Sequence, residues 1–197
     1  MGYTHFSKVS GETAVAVGVK GSEVDIADSS GNLAQAGTTI TATGAEINRV
    51  ADKSSKVVGI TSATTLTMAA HDSKIVTLGH ASGVTVTLPA ATGSGFECTL
   101  IAGVTLTGGS NVVQVANATD VLNGSVALGV DNDGEGATGF SWMAEAGDDT
   151  ITMDGTTTGG IAGDSVKIID YKAGFFKASV ELQQSGTSAT PFTAAVT

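Results

Sequence analysis

The chain lacks much of what catalytic and binding proteins are commonly built from. It has a single cysteine, Cys98, so no internal disulfide can form. Aromatic residues are 5% of its 197 positions. Trp142, Tyr3 and Tyr171 are the only rings of the kind on which a sugar usually stacks. Lys and Arg together number 9 against 19 acidic residues, a net charge of -10. A surface of that sign repels phosphate backbones and anionic membrane surfaces, so neither nucleic acid nor membrane is expected as a partner. No apolar run reaches the length of a bilayer span. Met1 opens onto neither a basic stretch nor a long apolar one, so no signal peptide is expected and synthesis and folding are placed in a cytoplasm. Leu, Lys and Arg are scarce, which argues against a helical bundle.

What the chain does have is glycine, 27 residues of it, with Thr, Ser, Ala and Val filling most of the rest. Small and β-branched residues between frequent glycines predict many short strands joined by tight turns. The cleanest alternation is Val84-Thr85-Val86-Thr87-Leu88, closed by Pro89. Similar runs occur at 57–60, 64–68, 74–78, 96–101, 112–115, 125–130, 140–144, 150–153, 165–171 and 175–182. Asn123-Gly124, between Val121-Leu122 and the run at 125–130, is a strong hairpin signal. This spacing predicts a sandwich or jelly roll rather than a parallel sheet. Gly83–Leu88 and Gly103–Thr107 are alike, but no longer fixed period exists, so the likeness reads as shared strand chemistry and not as a solenoid repeat.

One stretch breaks the two-residue period. Thr38 to Ala42 alternates like a strand. Thr43 can then cap a helix, with Glu46 three residues on as its capping-box partner. Ala45, Ile47, Val50 and Ala51 follow as a short apolar stripe. A helix so short is marginal alone, so it must lie on the β-body or against copies of itself around a symmetry axis. The expected fold is therefore all-β. Residues 1–44 form an extended arm with a small meander, 45–55 a short joint helix, and 56–197 a sandwich or jelly-roll body with an extended tail. Tyr3, His5 and Phe6 are the apolar anchors of the arm.

No constellation for chemistry stands out. His5, His71 and His80 share no ligand spacing with Cys or Glu and read as surface histidines. Asp131-Asn132-Asp133-Gly134-Glu135-Gly136 opens like a calcium loop, but the bidentate Glu required at position twelve is Trp142. Solvated turn carboxylates are the plainer reading. Gly155 to Asp164 is glycine-rich without a phosphate-loop pattern. Cys98, in an apolar strand, reads as a buried small hydrophobe. No catalytic residue, cofactor or metal is expected.

The segment Ile40-Thr41-Ala42-Thr43-Gly44-Ala45-Glu46-Ile47-Asn48-Arg49-Val50-Ala51-Asp52 resembles a trimer-forming joint of tailed-bacteriophage virion proteins. Gly18–Glu23, Thr87–Gly95, Thr156–Gly160 with Gly163-Asp164, and Ala189–Phe192 also resemble pieces of that group, in the same order along the chain. Together they are similar to head decoration (cement) and head-fibre proteins. Gly44 departs from the usual Ala, and weakens the first helical turn. The resemblance implies a homotrimer on the outer capsid surface that bridges subunits of the major capsid protein. It assigns the joint to Glu46, Ile47, Arg49, Val50 and Ala51, and capsid contact to the arm bearing Tyr3, His5 and Phe6. The alternative is a tail-fibre or receptor-binding protein that holds carbohydrate. A glycan-degrading enzyme would have to use Asp131, Asp133, Glu135 or Asp148, and nothing places two of these at a working separation.

Overall fold

The computed structural model describes residues 34–35, 38–39, 56–131 and 138–197. The chain divides into two units, Met1–Lys53 and Ser54–Thr197. In the first, β1 (Ala34–Gln35) pairs antiparallel with β2 (Thr38–Thr39). The joint helix expected at 45–55 and the arm at 1–12 lie outside the described residues.

The second unit is all-β, with one short helix among its described residues. Its strands are β3 (Val57–Ile60), β4 (Thr64–Thr65), β5 (Lys74–Leu78), β6 (Thr85–Thr87), β7 (Glu97–Ala102) and β8 (Asn111–Gln114). They continue with β9 (Val121–Leu122), β10 (Val126–Asp131), β11 (Thr138–Met143) and β12 (Thr150–Met153). β13 (Ser165–Lys172), β14 (Phe175–Gln184) and β15 (Phe192–Thr193) complete the set. Helix α1 (Met68–His71) is a single turn after β4. One sheet has the order β11-β10-β14-β13-β7-β5-β3, with β9 also on β14, and the other β15-β12-β8-β6-β4.

Two-residue alternation explains the layering. Along β14 the buried residues are Phe176, Ala178, Val180, Leu182 and Gln184, while Lys177, Ser179, Glu181 and Gln183 face out. Val76, Leu100, Ile168 and Val180 from the larger sheet join Val86, Val113, Ile151 and Phe192 from the smaller one in a single apolar cluster. Burying each such side chain contributes about 1.5–3 kcal/mol before the entropy of ordering the chain is counted.

The expected sandwich of two sheets is present, but its first half is paired in parallel. β3, β5 and β7 are parallel neighbours in one sheet, and β4, β6 and β8 in the other. Successive strands therefore alternate between sheets, and residues 57–114 wind as a coil. Parallel neighbours need a long crossover, and here a strand of the opposite sheet supplies it. The coil has no constant sequence step, because its connections differ in length. Nor are the two similar segments equivalent: Thr85–Thr87 is β6, whereas 103–107 is a loop. From β7 onward the neighbours include antiparallel ladders, β7 with β13 and β13 with β14.

Asn123-Gly124 is a second correction. It makes no hairpin, because β9 and β10 both run parallel to β14, end to end along it. Gly124 adopts φ +65°, a left-handed conformation that glycine adopts freely. The chain kinks there instead of reversing. Buried Ser125 bridges the gap by accepting the Ala178 N–H at 2.7 Å.

Candidate functional site

Glu46, Ile47, Arg49, Val50 and Ala51, and likewise Tyr3, His5 and Phe6, lie outside the described residues. The described unit shows what its own polar groups do. Its aspartates hold loops. Asp170, fully buried, accepts the N–H groups of Thr92 (3.1 Å), Gly93 (2.8 Å) and Ser94 (2.9 Å), and the Ser94 hydroxyl at 2.8 Å. Burial raises its pKa, but these bonds outweigh burial and hold it below the ordinary value. Asp164 accepts from Gly160 (2.7 Å), Ile161 (3.1 Å) and Gln183 (2.9 Å), and ties the 155–164 loop to β14. There burial dominates, and the carboxyl is pushed up. Asp154 accepts from Thr156 and Thr158 N–H and from the Thr157 hydroxyl at 2.6 Å. Burial again opposes, yet the threonine bonds bring it down to about 2. Asp149 accepts from Ala195 and Val196 and fastens the tail. Asp120 accepts from Ala91. Around Asp154 and Asp164 the threonines and glycines lie within four residues, as turn chemistry requires, whereas Asp170, Asp149 and Asp120 reach partners remote in the chain.

Of the carboxylates named for a glycan-degrading site, the two described, Asp131 and Asp148, serve separate local bonds. Asp148 accepts the Glu145 N–H at 2.7 Å within its own turn. Asp131 ends β10 and accepts the Ser188 hydroxyl at 2.7 Å. Asp133 and Glu135 lie outside the described residues.

His71 is a correction, since it is 8% exposed rather than on the surface. It closes α1, and its Nδ1 accepts the Thr67 N–H at 3.0 Å while the Thr67 hydroxyl caps Ala70 N–H. His80 is exposed, and its Nδ1 accepts the Ser82 N–H at 3.2 Å. Among the described residues no group of His, Cys, Asp and Glu could together hold a metal. Cys98 is buried. Burial first, and then the charges of Asp72 and Glu97, push its thiol up to about 12, so it carries no thiolate near neutral pH.

Two surface features remain. An open groove of about 270 Å³ is lined by Lys56, Lys74, Glu97, Cys98, Thr99 and Lys167. Lys167 Nζ lies 3.9 Å from Glu97 Oε2, both groups being about half exposed, a geometry worth little in water. The second is the edge of the larger sheet. β11, Thr-Gly-Phe-Ser-Trp-Met, is its outermost strand and has no charged residue and no proline. The opposite edge β3 is four residues long, and the edges of the smaller sheet, β4 and β15, are two each. Beside the β11 edge, Leu128 (54% exposed), Val130 (39%) and Met143 (69%) share the outer face. Short, charged or proline-bearing edges resist pairing, and β11 has none of these protections. Sequence reading placed these residues in strands but could not single out an edge, because strand order is not written in alternation.

Compared with protein families, with curated proteins and with solved structures, the chain matches none.

Proposed function

We propose that this is a tailed-bacteriophage head decoration protein, a homotrimer on the outer capsid surface that bridges major capsid subunits. It is made in the host bacterial cytoplasm and has no catalytic role. The reading starts from the resemblance of residues 40–52 and its companion segments. The observation that carries it is the β11 edge with exposed Leu128, Val130 and Met143. Such an edge suits pairing with an extended segment of a neighbouring protein, where main-chain hydrogen bonds give affinity and flanking apolar residues give specificity. Three such edges on one trimer strengthen binding through multivalency. The buried aspartates also fit a mechanical role, because they hold loops in place and do not converge on a cleft.

The test uses the purified full-length protein and capsids of its own phage that lack it. Co-sedimentation with expanded capsids is expected, along with slower release of packaged DNA on heating. Failure to bind any form of the capsid would end this reading. The carbohydrate-binding alternative has one observation in its favour. Tyr171 is 48% exposed, and its hydroxyl donates to Asn123 Oδ1 at 2.9 Å. Its neighbour Phe175 is tilted by 42° and lies under the Lys172 ammonium, 4.9 Å from the ring centre, so no second ring extends the platform. A glycan array separates the two readings.

A further inference from the structure

Asn123-Gly124, which makes no hairpin, sits in a bulge. Leu122 pairs with Phe176 and Val126 with Ser179, so the three residues 123 to 125 stand opposite only 177 and 178 of β14. Ser125 is tied to β14 through the Ala178 N–H, whereas Asn123 and Gly124 are both exposed. The Gly124 N–H meets no acceptor among the described residues. The space around Gly124 is open: apart from its chain neighbours, no atom lies within 4 Å of where a Cβ would stand. Beside it, Asn123 Oδ1 accepts the Tyr171 hydroxyl at 2.9 Å. That bond draws electron density away from the carboxamide carbon.

An unbonded amide nitrogen therefore lies next in the chain to a polarised carboxamide, and a bond between them closes a succinimide ring. We propose that Asn123 is a site of spontaneous deamidation, in which the Gly124 nitrogen attacks Asn123 Cγ while the Tyr171 hydroxyl steadies the oxygen on which charge gathers. The Gly124 N–H gives its proton to solvent as the N–Cγ bond forms. The Cγ–Nδ2 bond then breaks, and the nitrogen takes a proton from water and leaves as ammonia. Water opens the ring at either carbonyl. Opening at Cγ gives aspartate, and opening at the main-chain carbonyl gives isoaspartate. Either product adds a negative charge beside Tyr171. Isoaspartate also adds a main-chain atom to a bulge that already runs long, and so loosens β9 and β10 on β14. The other described asparagines lack this arrangement. Asn111 is buried before the branched Val112, and the Asn117 side chain is tied to Thr119 and Asp120. This site is independent of the capsid reading.

The test is peptide mapping by mass spectrometry of the full-length protein, incubated in mildly alkaline buffer and sampled over time. Conversion is expected at Asn123 ahead of Asn111 and Asn117, with ammonia released in step and a rate that rises with pH. Tyr171→Phe, a change on a half-exposed ring, should keep the thermal midpoint and convert about three to ten times more slowly, because it removes a hydrogen bond to a developing charge. Samples rich in isoaspartate should unfold at a lower midpoint than Asn123→Asp, which carries the charge without the extra atom. No conversion at Asn123 in the folded wild type, while the urea-unfolded chain converts, overturns the proposal. So does folded Tyr171→Phe that converts as fast as wild type, and equal midpoints overturn the effect on the bulge. Should Tyr171→Phe not fold, the wild-type map decides: Asn123 converting first supports the proposal, and Asn123 left intact overturns it.

Discussion

Asp170 shows how this chain uses its acidic residues. It is fully buried and yet held in its ionised form by three consecutive N–H groups and a hydroxyl. Asp170→Asn keeps the size but turns an amide nitrogen toward those donors. A loss of about 2–3 kcal/mol is expected in urea unfolding, while Asp148→Asn, in a turn, should stay within about 0.5 kcal/mol of wild type. The same groups set the acid response. Asp154 and Asp170 have folded pKa values below the unfolded value of about 3.9. Between the two values the unfolded chain binds more protons, so stability rises with pH. Their contribution is present above about pH 4 and, for Asp154, is lost as pH falls through about 2. Asp164 has the opposite sign: its folded value is raised, so its contribution falls as pH rises above the unfolded value. Asp154→Asn should therefore flatten the stability profile between pH 2 and 4, and Asp164→Asn should remove a decline above about pH 4. Unfolding midpoints measured across pH 2 to 6 for the three proteins check both signs. In the sequence Asp170 is only a member of the 165–171 strand run, because its partners Thr92, Gly93 and Ser94 are remote along the chain.

At the scale of elements, alternation located the strands well. Lys74–Leu78 and Thr150–Met153 fall where the pattern puts them, and β13 and β14 within two residues of it. Pairing direction was not legible. A turn signal says that the chain changes course, not whether it returns in its own sheet or crosses to the other. Thus Val57 pairs with Ile75 in parallel although every local sign agrees with an antiparallel meander. Asn123-Gly124 misled for a related reason, since a left-handed glycine serves a kink as well as a hairpin. Ser125 was the missed clue, a buried hydroxyl that replaces a ladder bond. Ser125→Ala leaves the Ala178 N–H without an acceptor in the core, and should cost about 1–3 kcal/mol in urea unfolding. The β11 edge gives a surface prediction. Met143→Lys and Ser141→Lys place charge on the unprotected strand. Both should leave the thermal midpoint within a few degrees of wild type and reduce capsid co-sedimentation at least tenfold. Unchanged binding by both would move the contact away from this edge.

For the whole molecule, the question is which part folds and which part assembles. Among the described residues the apolar cluster runs from Ile60 to Phe192, with Val196 packed on it, inside the compact unit Ser54–Thr197. A chain of residues 56–197 is therefore expected to fold by itself and unfold in one cooperative transition. The proposed function puts assembly in the joint residues Glu46, Ile47, Arg49, Val50 and Ala51, whose apolar stripe in the sequence is too short for a stable helix without partners. Light scattering should accordingly report a trimer for the full chain and a monomer for 56–197. A trimer that survives truncation would move assembly into the β-bodies. The β11 edge with Leu128, Val130 and Met143 would then be its first candidate surface, and the arm with Tyr3, His5 and Phe6 would be left to grip the capsid. A monomer in both chains would remove the trimer from the proposal and leave a decoration protein that binds singly. The charge argues for the first outcome, because a body with many more acidic than basic residues gains little from self-contact without a dedicated joint. Raising the salt concentration screens that repulsion within about 10 Å at 0.1 M. If the joint alone holds the trimer, its dissociation should change little with salt, whereas association of the bodies should strengthen as salt rises.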